Sequence, residues 1–259
     1  MTNPAMPILV FDSGIGGLGV VAQLRALAPG VALTYLADNG FFPYGEKPDD
    51  ILLARILDVV GRAIAHLRPQ ALVVACNTAS TIALPALREA FSLPIIGCVP
   101  PIKPAAAAST SKTIGVLATA TTVRRPYLSN LIARFAPACT VLSLGTPSLA
   151  ELAERKFRGA SVDVAPAIAP LFTQPGGEAI DAIALGCTHY SFLLPEFAAL
   201  YPGISWFDPA LPVARQTLSR LTPLPPLAET GQTAYFISET LPLPLLAPYG
   251  FNRAETCQW

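Results

Sequence analysis

The sequence predicts an α/β protein made of two similar three-layer domains with parallel sheets, with the functional site in the cleft between them. Three observations predict it. Short apolar runs alternate with helix-length segments, the alternation restarts after residue 98, and one short block recurs in the second round. The chain has 259 residues, 52% of them apolar, which suits one large domain or two modest ones with a substantial core.

The elements follow in order. Ile8 to Phe11 reads as a strand, with a helix from about Leu18. Leu33 to Ala37 is a second strand, and Asp49 to Leu67 is a long amphipathic helix. Ala71 to Ala75 is a third strand, its helix starting near Asn77, and Ile95 to Val99 is a fourth. Pro100, Pro101 and Pro104 mark the crossing, which places one domain at 1–98 and a second at 99–210. Ile114 to Leu117, Val141 to Leu144, Ala182 to Leu185 and Ile204 to Phe207 are strands of the second round, and Tyr235 to Ile237 comes later. Leu221 to Pro226 and Leu241 to Pro248 are proline-rich and read as irregular surface chain.

Composition excludes several classes of function. Net charge is zero and no long basic run occurs, so neither nucleic acid nor a membrane surface is an expected partner. Ala71 to Leu87 is uncharged but carries Asn77, Thr78, Ser80, Thr81 and Pro85, which fits a buried strand and helix better than a membrane span. The N-terminus lacks a basic region of the secretory type, so the expected location is cytoplasmic. Five cysteines without a CxxC pair, and only His66 and His189, give no disulfide framework and no zinc motif, so no metal is expected.

The recurring block carries the chemistry. Ala71-Leu-Val-Val-Ala-Cys76-Asn77-Thr78-Ala-Ser is echoed by Ala182-Ile-Ala-Leu-Gly-Cys187-Thr188-His189-Tyr-Ser. Each is an apolar strand, a cysteine at its carboxyl end, then polar residues opening a helix. The two cysteines lie about 110 residues apart, roughly one small domain. Two facing domains would bring both strand ends to one cleft, beyond the carboxyl ends of the strands where α/β sheets bind ligands. Two thiols on opposite sides of a carbon can take a proton from one face and return one to the other. A thiol does this only when its thiolate is stabilised, which a helix N-terminus provides. A lone cysteine at a strand end is ordinarily packing, and Cys98, Cys139 and Cys257 are read so. Asn77, Thr78 and Thr188 add donors for a substrate carboxylate.

Phe11-Asp12-Ser13-Gly14-Ile15-Gly16-Gly17-Leu18-Gly19 opens the first helix. Gly14, Gly16 and Gly19 match GxGxxG, and Asp38 ends the next strand about 20 residues on, as a ribose-binding acid would. A nicotinamide-dependent dehydrogenase is therefore a rival. Against it, the pattern alone is weak, Asp12 would repel a pyrophosphate, and the cysteine blocks would go unexplained. A non-catalytic binding role is a third reading, without support from the neutral charge.

Taken together, Phe11-Asp12-Ser13-Gly-Ile-Gly-Gly-Leu, Pro43-Tyr44-Gly45, Ala-Cys76-Asn77-Thr78-Ala and Leu-Gly-Cys187-Thr188-His189-Tyr resemble the bacterial glutamate racemases of the aspartate/glutamate racemase superfamily. The resemblance implies cofactor-independent interconversion of L- and D-glutamate, supplying D-glutamate for peptidoglycan. It implies Cys76 and Cys187 as the acid/base catalysts, Asp12 supporting Cys76, and His189 with a glutamate supporting Cys187. Asp12, Ser13, Tyr44, Gly45, Asn77, Thr78, Thr188 and His189 would line the substrate site. It also implies that 211–259 returns to the first domain.

Two points depart from this pattern or stay open. Many relatives carry an arginine shortly before Pro-Tyr-Gly, where this chain has Gly40-Phe41-Phe42. Glu151 and Glu154 both fit the supporting acid, and the pattern prefers Glu154. An aspartate-specific racemase would share the two cysteines but not the Asp-Ser-Gly-Ile-Gly-Gly and Pro-Tyr-Gly signatures. Relatives often self-associate, so a homodimer is compatible with the resemblance. The Leu144-Gly145-Thr146-Pro147 stretch is similar to that of relatives activated by a cell-wall precursor. Thr119, Thr121 and Thr122 are candidate carboxylate ligands or N-capping residues. Arg124, Arg125 and His66 read as surface.

Overall fold

The computed structural model of the chain describes residues 6–221, 224 and 232–259. The chain forms two compact units, one of Met1–Cys98 with Ala210–Trp259, the other of Val99–Pro209.

The first unit begins β1 (Ile8–Asp12), α1 (Leu18–Leu27), β2 (Leu33–Ala37), α2 (Asp49–Leu67), β3 (Ala71–Val74), α3 (Asn77–Ala90) and β4 (Ile95–Gly97). The second contains α4 (Ile102–Ala108), β5 (Thr113–Ala118), α5 (Ala120–Val123), α6 (Pro126–Phe135), β6 (Thr140–Gly145), α7 (Ser148–Phe157), α8 (Ala165–Phe172), β7 (Ala182–Gly186), α9 (Leu194–Leu200) and β8 (Ser205–Phe207). The chain then completes the first unit with α10 (Ala210–Arg220), β9 (Thr233–Phe236), α11 (Leu243–Leu246) and β10 (Arg253–Thr256).

Both sheets are wholly parallel. The first runs β10-β9-β2-β1-β3-β4 and the second β6-β5-β7-β8. The strands β2-β1-β3-β4 of the first unit thus repeat the order of the second: the opening strand is central, the next lies to one side, the third to the other. β1, β2, β3 and β7 are buried along their whole length. This is why their sequences read as nearly continuous apolar runs, with Asp12 and Thr34 the exceptions, rather than alternating ones. In the first unit Leu52, Ile56, Val59, Val60 and Ala63 of α2 pack with Ala79, Ala83 and Leu87 of α3 on the sheet residues Leu9, Phe11, Leu72 and Val74.

Three local features differ from the sequence reading. β10 was not expected, because Arg-Ala-Glu-Thr has no apolar run; it pairs with β9 through the backbone at the sheet edge. The stretch from Leu241 to Pro248 is not irregular surface chain. Pro242 caps α11, proline sits in the helix's first turn where no N–H is needed, and Leu241 and Leu246 are buried. The third concerns the segment after Cys187, which is 3₁₀ helix (Thr188–Leu193) rather than α-helix. Pro195 has no N–H for the Ser191 carbonyl, so α-geometry begins only at α9, with the proline in its first turn. Most of the stretch from Leu221 to Pro226 lies outside the described residues. Among the described residues no helix is long and apolar enough to cross a membrane.

Candidate active site

Each sheet has one point where the strand order reverses about its central strand, and ligands in such folds bind beyond the carboxyl ends there. In the first unit that point lies between β1 and β3. β1 ends at Asp12 and leads into Ser13; β3 leads into Cys76. In the second unit it lies between β5 and β7, which lead into Thr119 and Cys187. The two cysteines therefore occupy equivalent places in the two units.

Around Cys76 the groups are close. Cys76 caps the N-terminus of α3 with extended backbone, and its carbonyl accepts from the Ser80 N–H at 2.9 Å. The Ser13 hydroxyl lies 3.8 Å from the Cys76 sulfur. Asp12 Oδ1 accepts from the Gly14 N–H at 3.1 Å and from the Ser13 hydroxyl at 3.5 Å. The loop is held because the Tyr35 hydroxyl donates to the Gly14 carbonyl. Gly17 is required by close approach: a Cβ there would stand 2.9 Å from the Tyr35 ring, 3.0 Å from Asp12 Cβ and 3.1 Å from Ala75 Cβ. Cys76 is 6% exposed, and Asp12, Ser13, Asn77 and Thr78 are buried. The Asn77 side-chain amide has neither its oxygen nor its nitrogen hydrogen-bonded. An unpaired buried amide costs about 1–3 kcal/mol, which a bound polar ligand offsets.

Tyr44 stands on a 3₁₀ turn, Tyr44–Glu46, with half-buried Gly45 beside it. Its ring is buried next to Phe11 and Phe41, and its hydroxyl donates to Asp38 Oδ2 at 2.8 Å. Asp38 is fully buried, and Arg55 of α2 grips it with both Nε (2.9 Å) and Nη2 (2.7 Å). Both oxygens of the carboxylate proposed for a ribose thus accept hydrogen bonds from the chain, which removes the main support for the dinucleotide reading. Arg55 escaped the sequence reading. The signal was a charge inside the apolar stripe of α2, three residues from buried Leu52 and one from buried Ile56.

Around Cys187 the second unit supplies other groups. Cys187 precedes the 3₁₀ segment with extended backbone and is 8% exposed. Thr188 and His189 are buried. His189 Nε2 lies 3.1 Å from Glu154 Oε1 on α7. Glu151, one turn earlier, is exposed. The Tyr190 hydroxyl donates to the Thr146 carbonyl at 3.0 Å, tying this segment to the start of α7. Burial raises the Tyr190 pKa, and a thiolate charge on Cys187 adds to it. Beside this, the Thr119 hydroxyl caps α5 by accepting from the Thr122 N–H at 3.3 Å, and it donates to the Thr122 hydroxyl at 3.0 Å. Arg124 is exposed and Arg125 half-buried.

The remaining cysteines do not occupy strand ends at the switch points. Cys98 follows β4 and is fully buried, while Cys139 and Cys257 are half-buried. His66 stacks on Trp259. Among the described residues no group of three or more His, Cys, Asp and Glu side chains is arranged to hold a metal ion.

Comparisons with known proteins bear on the family. The Asp/Glu/Hydantoin racemase family profile matches residues 19–217. A glutamate racemase of Sphingopyxis alaskensis is 45% identical over 98% of each chain. One from Pectobacterium carotovorum is 41% identical over 97% of this chain and 92% of its own. Among solved structures, Escherichia coli glutamate racemase in complex with L-glutamate and the activator UDP-MurNAc-Ala superposes with a TM-score of 0.90, 38% identity and 98% coverage of both chains. A Bacillus anthracis glutamate racemase isoform gives 0.78 at 26% identity over 98% of both. With a thiol at the switch point of each of two like sheets, and relatives of this similarity along nearly the whole chain, the protein belongs to the glutamate racemase family.

Proposed function

We propose that the chain interconverts L- and D-glutamate by two-thiol proton transfer. One thiolate removes the α-proton; the other thiol delivers a proton to the opposite face, and the roles exchange for the other enantiomer. Cys76 and Cys187 are the two groups. Asp12 and Ser13 act beside Cys76, and the Glu154–His189 pair beside Cys187. Asn77, Thr78, Thr188, Tyr44 and Gly45 bind the substrate, and the unpaired Asn77 amide supports that assignment. The step as drawn uses only thiol, carboxylate and imidazole groups of the chain.

The observation that carries this reading is the equivalent placement of Cys76 and Cys187 after the third strand of a four-strand order that the two sheets share. The test is α-proton exchange from L- and D-glutamate in deuterated water, with aspartate as control. Cys76→Ser and Cys187→Ser are each expected to abolish racemisation. Wild-type racemisation by both variants refutes the two-thiol mechanism, and exchange with aspartate alone refutes the substrate.

The physiological setting follows the same reading: supply of D-glutamate to peptidoglycan synthesis in the cytoplasm, by a protein that pairs as a homodimer. The E. coli relative's activator carries over as an expectation that UDP-MurNAc-Ala raises the rate. A rate unchanged across a titration of that compound removes it.

A further inference from the structure

Resting on the racemase reading above, we propose that Asp38 and Arg55 are positioning residues for Cys76. They commit the Tyr44 hydroxyl proton to Asp38, so that the phenolic oxygen meets Cys76 and its substrate as a hydrogen-bond acceptor.

The argument begins at the carboxylate. Asp38 follows β2 directly, and its backbone N–H donates to the Asp12 carbonyl at 2.9 Å, which ties it to the end of β1 beside the Cys76 site. Its side chain is fully buried and takes three hydrogen bonds: two from the Arg55 fork and one from Tyr44. A fully buried carboxylate is stable only when so compensated, and a bidentate arginine is the strongest compensation a side chain offers. The Arg55 guanidinium also lies over the Phe41 ring, 5.7 Å from its centre, and Phe41 packs against Tyr44. The fork, the phenyl ring and the phenol therefore hold one another in place.

A phenol has one proton. Donated to a charged carboxylate, it makes a stronger bond than to any neutral partner nearby. Burial raises the Tyr44 pKa well above its usual value; the Asp38 charge, the bond to it and the charge of a Cys76 thiolate raise it further, and only Arg55 opposes them. Tyr44 therefore stays a neutral phenol with its proton on the Asp38 side, and its oxygen lone pairs are what it offers elsewhere. Tyr44 shares a buried cluster with Cys76, its turn packs on the helix that Cys76 caps, and a thiolate charge on Cys76 raises the Tyr44 pKa. An acceptor in that place favours S–H over thiolate and receives the N–H of an ammonium group. The ionisable groups around this site in the first unit include Asp12 at the end of the first strand, Asp38, Tyr44 and Arg55, with Lys47 over the Phe41 ring. Asp58 acts on Arg55, and Cys257 also senses Asp38.

The experiment is iodoacetamide alkylation of the full chain as a function of pH, with Cys76 and Cys187 read separately by peptide mass spectrometry. Tyr44→Phe keeps the ring and the Asp38–Arg55 pair, so it folds. Losing an acceptor lowers the alkylation midpoint of Cys76, whereas losing a donor raises it. Asp38→Asn removes the charge and frees the phenol proton to turn toward the thiolate, so its midpoint falls by about one unit. In the double variant the fall is no greater than in Asp38→Asn alone, and the Cys187 profile stays unchanged throughout. A rise in Tyr44→Phe, additive shifts in the double variant, or equal shifts at both cysteines overturns the proposal. The alkylation profile is read without turnover, so a chain that fails to racemise while showing these shifts counts against the racemase reading and not against this one.

Discussion

Replacing Glu154 by glutamine removes one negative charge beside Cys187 and leaves the side-chain shape nearly unchanged. Glu154 Oε1 lies 3.1 Å from His189 Nε2, and the two side chains are 15% and 3% exposed, so solvent screens the pair little. At that distance two unit charges interact by about 5 kcal/mol at an effective dielectric constant of about 20. Desolvation of both partners offsets much of this, which leaves about 2 kcal/mol for the charge-assisted bond. If the imidazole carries positive charge as the proton moves at Cys187, that stabilisation belongs to the transition state, and its loss slows racemisation roughly 30-fold. The assay is circular dichroism from pure L- and pure D-glutamate. The enantiomers are equal in free energy, so kcat/KM must fall by the same factor in both directions. Glu151→Gln is the control, because Glu151 is exposed. A fall of less than threefold in Glu154→Gln, or an equal fall in Glu151→Gln, refutes the role given to the pair.

Three further outcomes follow from packing and burial. Gly17→Ala drives a methyl group against Tyr35, Asp12 and Ala75, and is expected to cost about 1–3 kcal/mol, read as a lowered Tm, and to reduce activity by moving Asp12. Tyr190→Phe leaves the buried Thr146 carbonyl without its donor at a cost of about 1 kcal/mol, and loosens the segment that carries His189; denaturant unfolding measures the first and kcat/KM the second. Burial pushes the Cys257 thiol up to about 11. Because burial disfavours the thiolate, only roughly one part in a thousand is ionised at pH 8, so iodoacetamide should leave Cys257 unmodified there and label it as the pH approaches 11.

The strands were legible wherever both sheet faces are covered, because Ile8–Asp12, Leu33–Ala37 and Ala182–Gly186 then carry nearly continuous apolar runs, with Asp12 and Thr34 the exceptions. β10 was not legible: its residues are mostly exposed, and it exists because Thr233–Phe236 offers a backbone edge, a fact about the sheet rather than about Arg253–Thr256. The cysteine blocks were legible because a strand end followed by polar donors is a local pattern. The helix type after Cys187 was not, since Pro195 acts on the chain before it. Glu151 and Glu154 both fit the supporting acid in sequence, with the pattern preferring Glu154; in the structure Glu154 approaches His189 and Glu151 is exposed. The Asp38–Arg55–Tyr44 cluster joins a strand end, a turn and a helix, and no spacing rule links those three positions.

The first unit's sheet is interrupted by the whole of the second unit, and this shapes how the protein can be made. β2 leaves the ribosome long before β9, its outer neighbour, which begins roughly 200 residues later. At about 5–20 residues per second, the flank of β2 stays without its partner for roughly 10–40 s of synthesis. A bare, mostly apolar strand edge is what other nascent chains pair with most readily. The inserted unit, Val99–Pro209, makes up more than half of that interval, so its length largely sets the hazard of misassembly during translation, whatever the stability of the finished sheet.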